Sequence, residues 1–152
     1  KMLLEKGANP HIAMGDGRTP LHAACYNGHA DIALMLLNSG VDINITDTAG
    51  QTALYKACWQ GTLDTVKLLL EKGADCDIAS TQGLTPLHVA CSENHEYVVR
   101  LLLSWGVNTI ARDSAGNTAC QLARQKHLSN ITTLFELQTV EGRHRSNECL
   151  VS

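Results

Sequence analysis

Gly17-Arg18-Thr19-Pro20-Leu21-His22-Ala23-Ala24-Cys25 returns as Gly50-Gln51-Thr52-Ala53-Leu54-Tyr55-Lys56-Ala57-Cys58 and again as Gly83-Leu84-Thr85-Pro86-Leu87-His88-Val89-Ala90-Cys91, each copy 33 residues after the last. A looser fourth copy reads Gly116-Asn117-Thr118-Ala119-Cys120-Gln121-Leu122-Ala123-Arg124. Gly7, Gly40, Gly73 and Gly106 keep the same step at a second phase. A fixed period of roughly 20 to 50 residues means stacked supersecondary units, each too small to bury its own apolar face, so the chain is a row of nearest-neighbour contacts.

Within each copy the chemistry sets the elements. Thr19 and Thr85 can cap a helix with the side-chain oxygen, and Pro20 and Pro86 then fall at the first helical position, where the missing N–H costs nothing. Gly28 and Gly61 end that short helix, and Asn94 at the matching place also tolerates a left-handed backbone. A second helix follows, because residues 31–37, 64–70 and 97–103 carry apolar side chains at helical spacing. Asp31 and Asp64 near its start suit the helix dipole. Gly40, Gly73 and Gly106 lie past its end, and an extended turn such as 41–50, with glycine at its tip, leads hairpin-like to the next threonine.

The Thr-Pro-Leu-His runs at Thr19 and Thr85, the Gly28-His29 pair and Leu69-Leu70-Glu71-Lys72-Gly73-Ala74-Asp75 together resemble ankyrin repeats. The resemblance covers residues 1 to about 137. It implies an all-α repeat fold, an α-solenoid whose 33-residue unit is a helix, a turn, an antiparallel helix and a β-hairpin finger. The expected units are a partial N-terminal repeat over 1–16, full repeats over 17–49, 50–82 and 83–115, a C-terminal capping repeat over 116–137 and a disordered tail over 138–152. Residues 1–6 match only the last turns of a second helix, which leads us to expect a fragment of a longer array or a trimmed start. The fourth unit decays: Arg124 stands where cysteine stood, and Glu136 replaces Leu37, Leu70 and Leu103.

Composition narrows the function. The net charge of -3 with scattered basic residues leaves no electrostatic footprint for nucleic acid. No apolar run approaches the ~18 residues of a membrane span and no signal peptide precedes the first repeat, so an intracellular, cytoplasmic setting is expected, with the nucleus also open. Cys25, Cys58 and Cys91 recur at one phase; packed helices stand about 8 to 10 Å apart, too far for disulfides between them, so they read as small core residues in a reducing compartment.

No catalytic or metal constellation emerges. Gly15-Asp16-Gly17 begins a dinucleotide fingerprint without its third glycine or a preceding strand. His95-Glu96 opens a zinc-protease motif, but Val99 fills the place of its second histidine. Asn44-Ile45-Thr46 and Asn130-Ile131-Thr132 match the glycosylation triplet, which matters only outside the cytosol. The family resemblance implies that His22 and His88 bond to neighbouring loop backbone. It also implies one modification: repeats resembling Leu36-x5-Asp42-Ile43-Asn44 are hydroxylated on the asparagine by a 2-oxoglutarate-dependent hydroxylase. Asn44 matches, Asp77 is its equivalent, and His11 and Ile110 depart.

What varies between copies marks where a partner would bind. Before the threonine stand Arg18, Gln51, Leu84 and Asn117; past the first helix come Tyr26, Trp59, Ser92 and Gln125, then Asn27, Gln60, Glu93 and Lys126. The finger tips add Asp47, Thr48, Ser80, Thr81, Asp113 and Ser114. By resemblance these positions line a concave face. Tyr26 and Trp59 are expected side by side, with Trp59 the leading anchor and Trp105, at the end of a second helix, a weaker one. Lys56 replaces Ala23, Val89 and Leu122, and either snorkels to solvent or points at an acid on the partner. The function implied is a non-catalytic protein-protein interaction module, an adaptor, scaffold or substrate receptor that binds a protein or peptide segment without cofactor, nucleic acid or membrane insertion. The alternative is a regulatory or targeting domain of a larger multidomain enzyme, ligase subunit or channel.

Overall fold

The computed structural model describes residues 9–148, with side chains through 139. The N-terminal partial helix read over 1–6 lies outside the described residues. Eight helices follow in pairs among those described: α1 (Pro20–Tyr26) with α2 (Ala30–Asn38), α3 (Ala53–Gln60) with α4 (Leu63–Glu71), α5 (Pro86–Ser92) with α6 (Glu96–Trp105), and α7 (Ala119–Gln125) with α8 (Ser129–Glu148). The first helices form one row, α1 on α3 on α5 on α7, and the second helices form another beside it.

Helix starts follow the sequence signals. The hydroxyl of Thr52 accepts from the Tyr55 N–H at 3.1 Å, and α1 and α5 begin on their prolines. The core is as periodic as the chain. Leu21, Leu54 and Leu87 are buried at one phase, Cys25, Cys58 and Cys91 at another, and Ala33, Val66 and Val99 on the second helices. Aliphatic and small side chains, with few rings, recur where helices touch, which lets the rows approach closely.

The turn between paired helices needs a left-handed residue, and all four copies provide one: Gly28, Gly61, Asn94 (φ 61°) and His127 (φ 57°). At Gly61 the requirement is doubled, because a Cβ there would stand 2.4 Å from the imidazole of His95 in the next repeat. The bond that fills this contact runs from His95 Nε2 to the carbonyl of Trp59 at 2.8 Å. Lys126 repeats it one unit on, donating to the Ser92 carbonyl at 2.9 Å. Carbonyls near the ends of α1, α3 and α5 are thus capped by the following repeat, the Thr62 hydroxyl doing so for Cys25 of α1.

The expected β-hairpins are not strands: no strand occurs among the described residues. Each finger is a tight turn closed by two backbone bonds on one residue, whose N–H donates across the turn (Met14 to Arg18, Asp47 to Gln51, Ser80 to Leu84, Asp113 to Asn117) and whose carbonyl accepts from the tip glycine (Gly17, Gly50, Gly83, Gly116). One paired residue per arm is too few for a ladder. Neighbouring fingers are instead stitched by single bonds, from Thr48 N–H to Asp16 O at 3.0 Å, Thr81 to Ala49 at 2.9 Å and Ser114 to Gln82 at 2.9 Å.

A disordered tail from 138 is expected from the sequence, whereas α8 continues unbroken to Glu148. Two physical reasons account for the difference. The chain has no proline after Pro86 to stop a helix once started, and the Gln138 amide donates to the Leu103 carbonyl at 3.1 Å, fixing the helix just past the array. Residues 149–152 lie outside the described part.

Candidate functional site

The finger-facing side of the first helices is assembled from side chains that reach from one repeat to the next. His22 Nδ1 accepts from the Thr19 N–H at 3.1 Å, so its proton sits on Nε2, which donates to the Gln51 carbonyl at 2.9 Å. His88 repeats this with Thr85 at 3.2 Å and the Asn117 carbonyl at 3.1 Å. The geometry agrees with the role that the repeat resemblance implies for both histidines. Burial, partly offset by the carbonyl bonds, holds both imidazoles below the ordinary histidine range, so they are neutral structural links. Tyr55 occupies the same phase in the second repeat, and its phenol comes up to Ser80 in the next finger.

Several finger residues read from sequence as free are committed to the turns. Asp47 Oδ1 accepts from the N–H groups of Ala49 and Gln51 at 3.0 and 2.9 Å, and Asp113 does the same for Ala115 and Asn117 at 3.0 and 2.8 Å. Ser80 holds the third finger through Gln82 and Leu84. Thr48 and Thr81 remain exposed at the tips, although the Thr48 hydroxyl donates to the Asp16 carbonyl at 3.0 Å.

Lys56 neither snorkels nor waits for a partner. Its ammonium lies 3.0 Å from Asp47 Oδ2, with side-chain exposures of 11% and 5%, and also donates to Gln51 Oε1. Burial alone would raise the Asp47 carboxyl, but the Gln51 N–H and the Lys56 ammonium outweigh it and hold the group below its usual range. The same ammonium sits 5.9 Å from the Trp59 ring centroid. Sequence reasoning missed this pair because its members are nine positions apart in different elements; the only signal was that Lys56 is unusual at its phase, since an aspartate recurs at the phase of Asp47 as Asp113.

Trp59 is 43% exposed and Tyr26 44% exposed at equivalent places in neighbouring repeats. No ring-to-ring contact joins them among the described residues. Trp59 packs edge-on against Tyr55 instead, centroids 6.4 Å apart and planes at 85°, the one ring pair among the described residues. Four contacts therefore set Trp59: Tyr55, Lys56, its own helix, and the His95 bond to its carbonyl. Beside it Asn27, Gln60 and Glu93 are exposed, and Gln51, Leu84, Ser92 and Asn117 are half-buried along the fingers and helix ends. Arg18 pairs with Asp16. Trp105 is 46% exposed on the second-helix row, away from this strip.

Asn44 bonds across the repeat boundary. Its Oδ1 accepts from the Asp75 N–H at 2.9 Å, and Asp77 does the same for Asn108 at 3.0 Å. Burial pushes the Cys25 thiol up to about 12 and raises Cys58 and Cys91 as well, so these thiols stay protonated in the core. No group of three or more potential metal ligands occurs among the described residues.

Two family models match the chain: one described as "Ankyrin repeats (3 copies)" over residues 1–80, and one described as "Ankyrin repeats (many copies)" over residues 60–103. No curated protein matches it.

Proposed function

Because the chain belongs to the ankyrin repeat family, we propose that it is a non-catalytic binding module that holds a protein segment along the finger-facing side of its first helices, which is the concave face in this family. Ankyrin repeats are generally protein-protein interaction modules. No helix among the described residues is long and apolar enough to cross a membrane. The observation that carries the reading is the matched exposure of Tyr26 and Trp59: both are large rings left nearly half exposed at the same phase of adjacent repeats, and the Lys56 ammonium and the Trp59 carbonyl beside them are already bonded within the array. Rigid, pre-set aromatic side chains of this kind are what interfaces use as anchors, since little entropy is lost on binding.

Photo-crosslinking tests it. A benzophenone side chain at Gln60 should capture a defined polypeptide in cells expressing the protein, and the same group at Trp105 should not. Equal capture at both, or capture at Trp105 alone, would move the binding surface elsewhere.

A further inference from the structure

The neutralised lysine changes what kind of segment the strip accepts. Lys56 is the one lysine or arginine on α3, and it is spent on Asp47 and Gln51; Arg18, at the edge of the same strip, is spent on Asp16. Neither cation is left free to meet an acidic partner beside Trp59. Glu93 is exposed at the end of α5, one repeat on from Gln60, and makes no ion pair within 4.0 Å among the described residues. Its field reaches the aromatic cluster: after burial and the Asp47 charge, Glu93 is a further cause that raises the Tyr55 phenol. Lys126 of the fourth repeat turns its ammonium to the Ser92 carbonyl and hydroxyl at 2.9 and 2.7 Å.

We propose that the strip selects a segment carrying an aromatic or aliphatic side chain over Trp59 with an arginine or lysine beside it at Glu93, and that it rejects acidic segments. This rests on the concave-face reading and adds the partner's chemistry to it. The apolar side chain would cover the open part of the indole that Tyr55 and Lys56 leave free. The basic side chain would then meet a carboxylate that makes no ion pair within 4.0 Å among the described residues. An acidic neighbour would face that same carboxylate while Lys126 is held on the adjacent Ser92, a like-charge contact of the kind that interfaces use to exclude wrong partners.

A random twelve-residue peptide library displayed on phage, selected on immobilised wild-type protein, gives the probe. Enriched peptides should carry an apolar residue flanked by Arg or Lys. Trp59→Ala should weaken the best of them by about 30-fold or more, while Glu93→Gln should erase the preference for basic flanks and leave the apolar anchor. Thermal melts of both variants confirm folding. Enriched peptides with acidic flanks that still depend on Trp59, or a basic preference that survives Glu93→Gln, would overturn the inference and leave the concave-face reading standing. Failure to enrich any peptide, or enriched peptides indifferent to Trp59→Ala, would overturn both.

Discussion

Lys56 Nζ and Asp47 Oδ2 stand 3.0 Å apart across the junction of the repeats 17–49 and 50–82, joining α3 to the finger that leads into it where the other repeats place no such pair. The third repeat fills the same two positions with Ser80 and Val89. Breaking a buried pair strands a charge, whereas replacing both partners with well-packed neutral groups is often harmless. Lys56→Val alone should therefore destabilise the protein by about 3 kcal/mol, and Asp47→Ser alone by a similar amount. The double variant should recover most of that loss. Urea melts of the four proteins of the cycle measure it, and strictly additive losses would show that the two residues are not coupled.

Acidification should act in two stages. His22 and His88 have folded values below the ordinary histidine value of 6.5, so the unfolded chain takes up protons first and their contribution, complete above that value, fades as pH falls through it. Asp47 lies below the ordinary 3.8, so its contribution holds until more acidic conditions and is lost only as pH falls below that value. Melting temperatures from pH 8 down to pH 3 should show a first decline beginning near 6.5. A curve flat between pH 7 and pH 5 would contradict neutral, buried histidines.

Thr65 carries a buried hydroxyl with no hydrogen-bond partner, at the phase where α6 has Val98 and α8 has Ile131. An unpaired buried hydroxyl costs about 1 to 3 kcal/mol. Thr65→Val keeps the shape and removes the penalty, and should raise stability by about 1 kcal/mol in urea melts. A loss of stability would mean that the hydroxyl has a partner in solution.

Gly61 and Gly40 separate two glycine effects. Both have positive φ, 75° and 87°, but a Cβ at Gly61 meets the His95 ring at 2.4 Å while one at Gly40 meets nothing within 4 Å. Gly40→Ala should cost about 1 kcal/mol, the conformational term alone. Gly61→Ala should cost clearly more, because His95 must move and the bond to the Trp59 carbonyl is lost. Equal losses would show that His95 yields freely.

The period made the architecture legible, since a threonine cap, a left-handed turn residue and a buried leucine recur at fixed steps and each is a local signal. Asn94 could be read as a glycine substitute because asparagine tolerates positive φ; His127 escaped that reading although histidine is also enriched at positive φ, because it sits in the decayed fourth unit. The finger was misread as a hairpin because its glycine and polar residues fit such a turn, while strand formation depends on arm length and pairing that the composition does not encode. The site was legible in outline, as variable positions on one side of each unit. Its energetics were hidden in contacts between repeats. That Lys56 is neutralised, that Trp59 packs edge-on against Tyr55, and that His95 caps its carbonyl all depend on residues distant in sequence or on side-chain direction.

The most direct test of a finger-side binding surface anchored on Trp59 compares Trp59→Ala with Trp105→Ala for affinity toward a partner captured through Gln60. Both indoles are exposed to a similar extent, 43% and 46%, so surface loss alone treats them alike. Trp59→Ala should weaken binding by about 30-fold or more, and Trp105→Ala by less than about 3-fold. Unchanged affinity in a folded Trp59→Ala protein, or a larger loss at Trp105, would contradict the account.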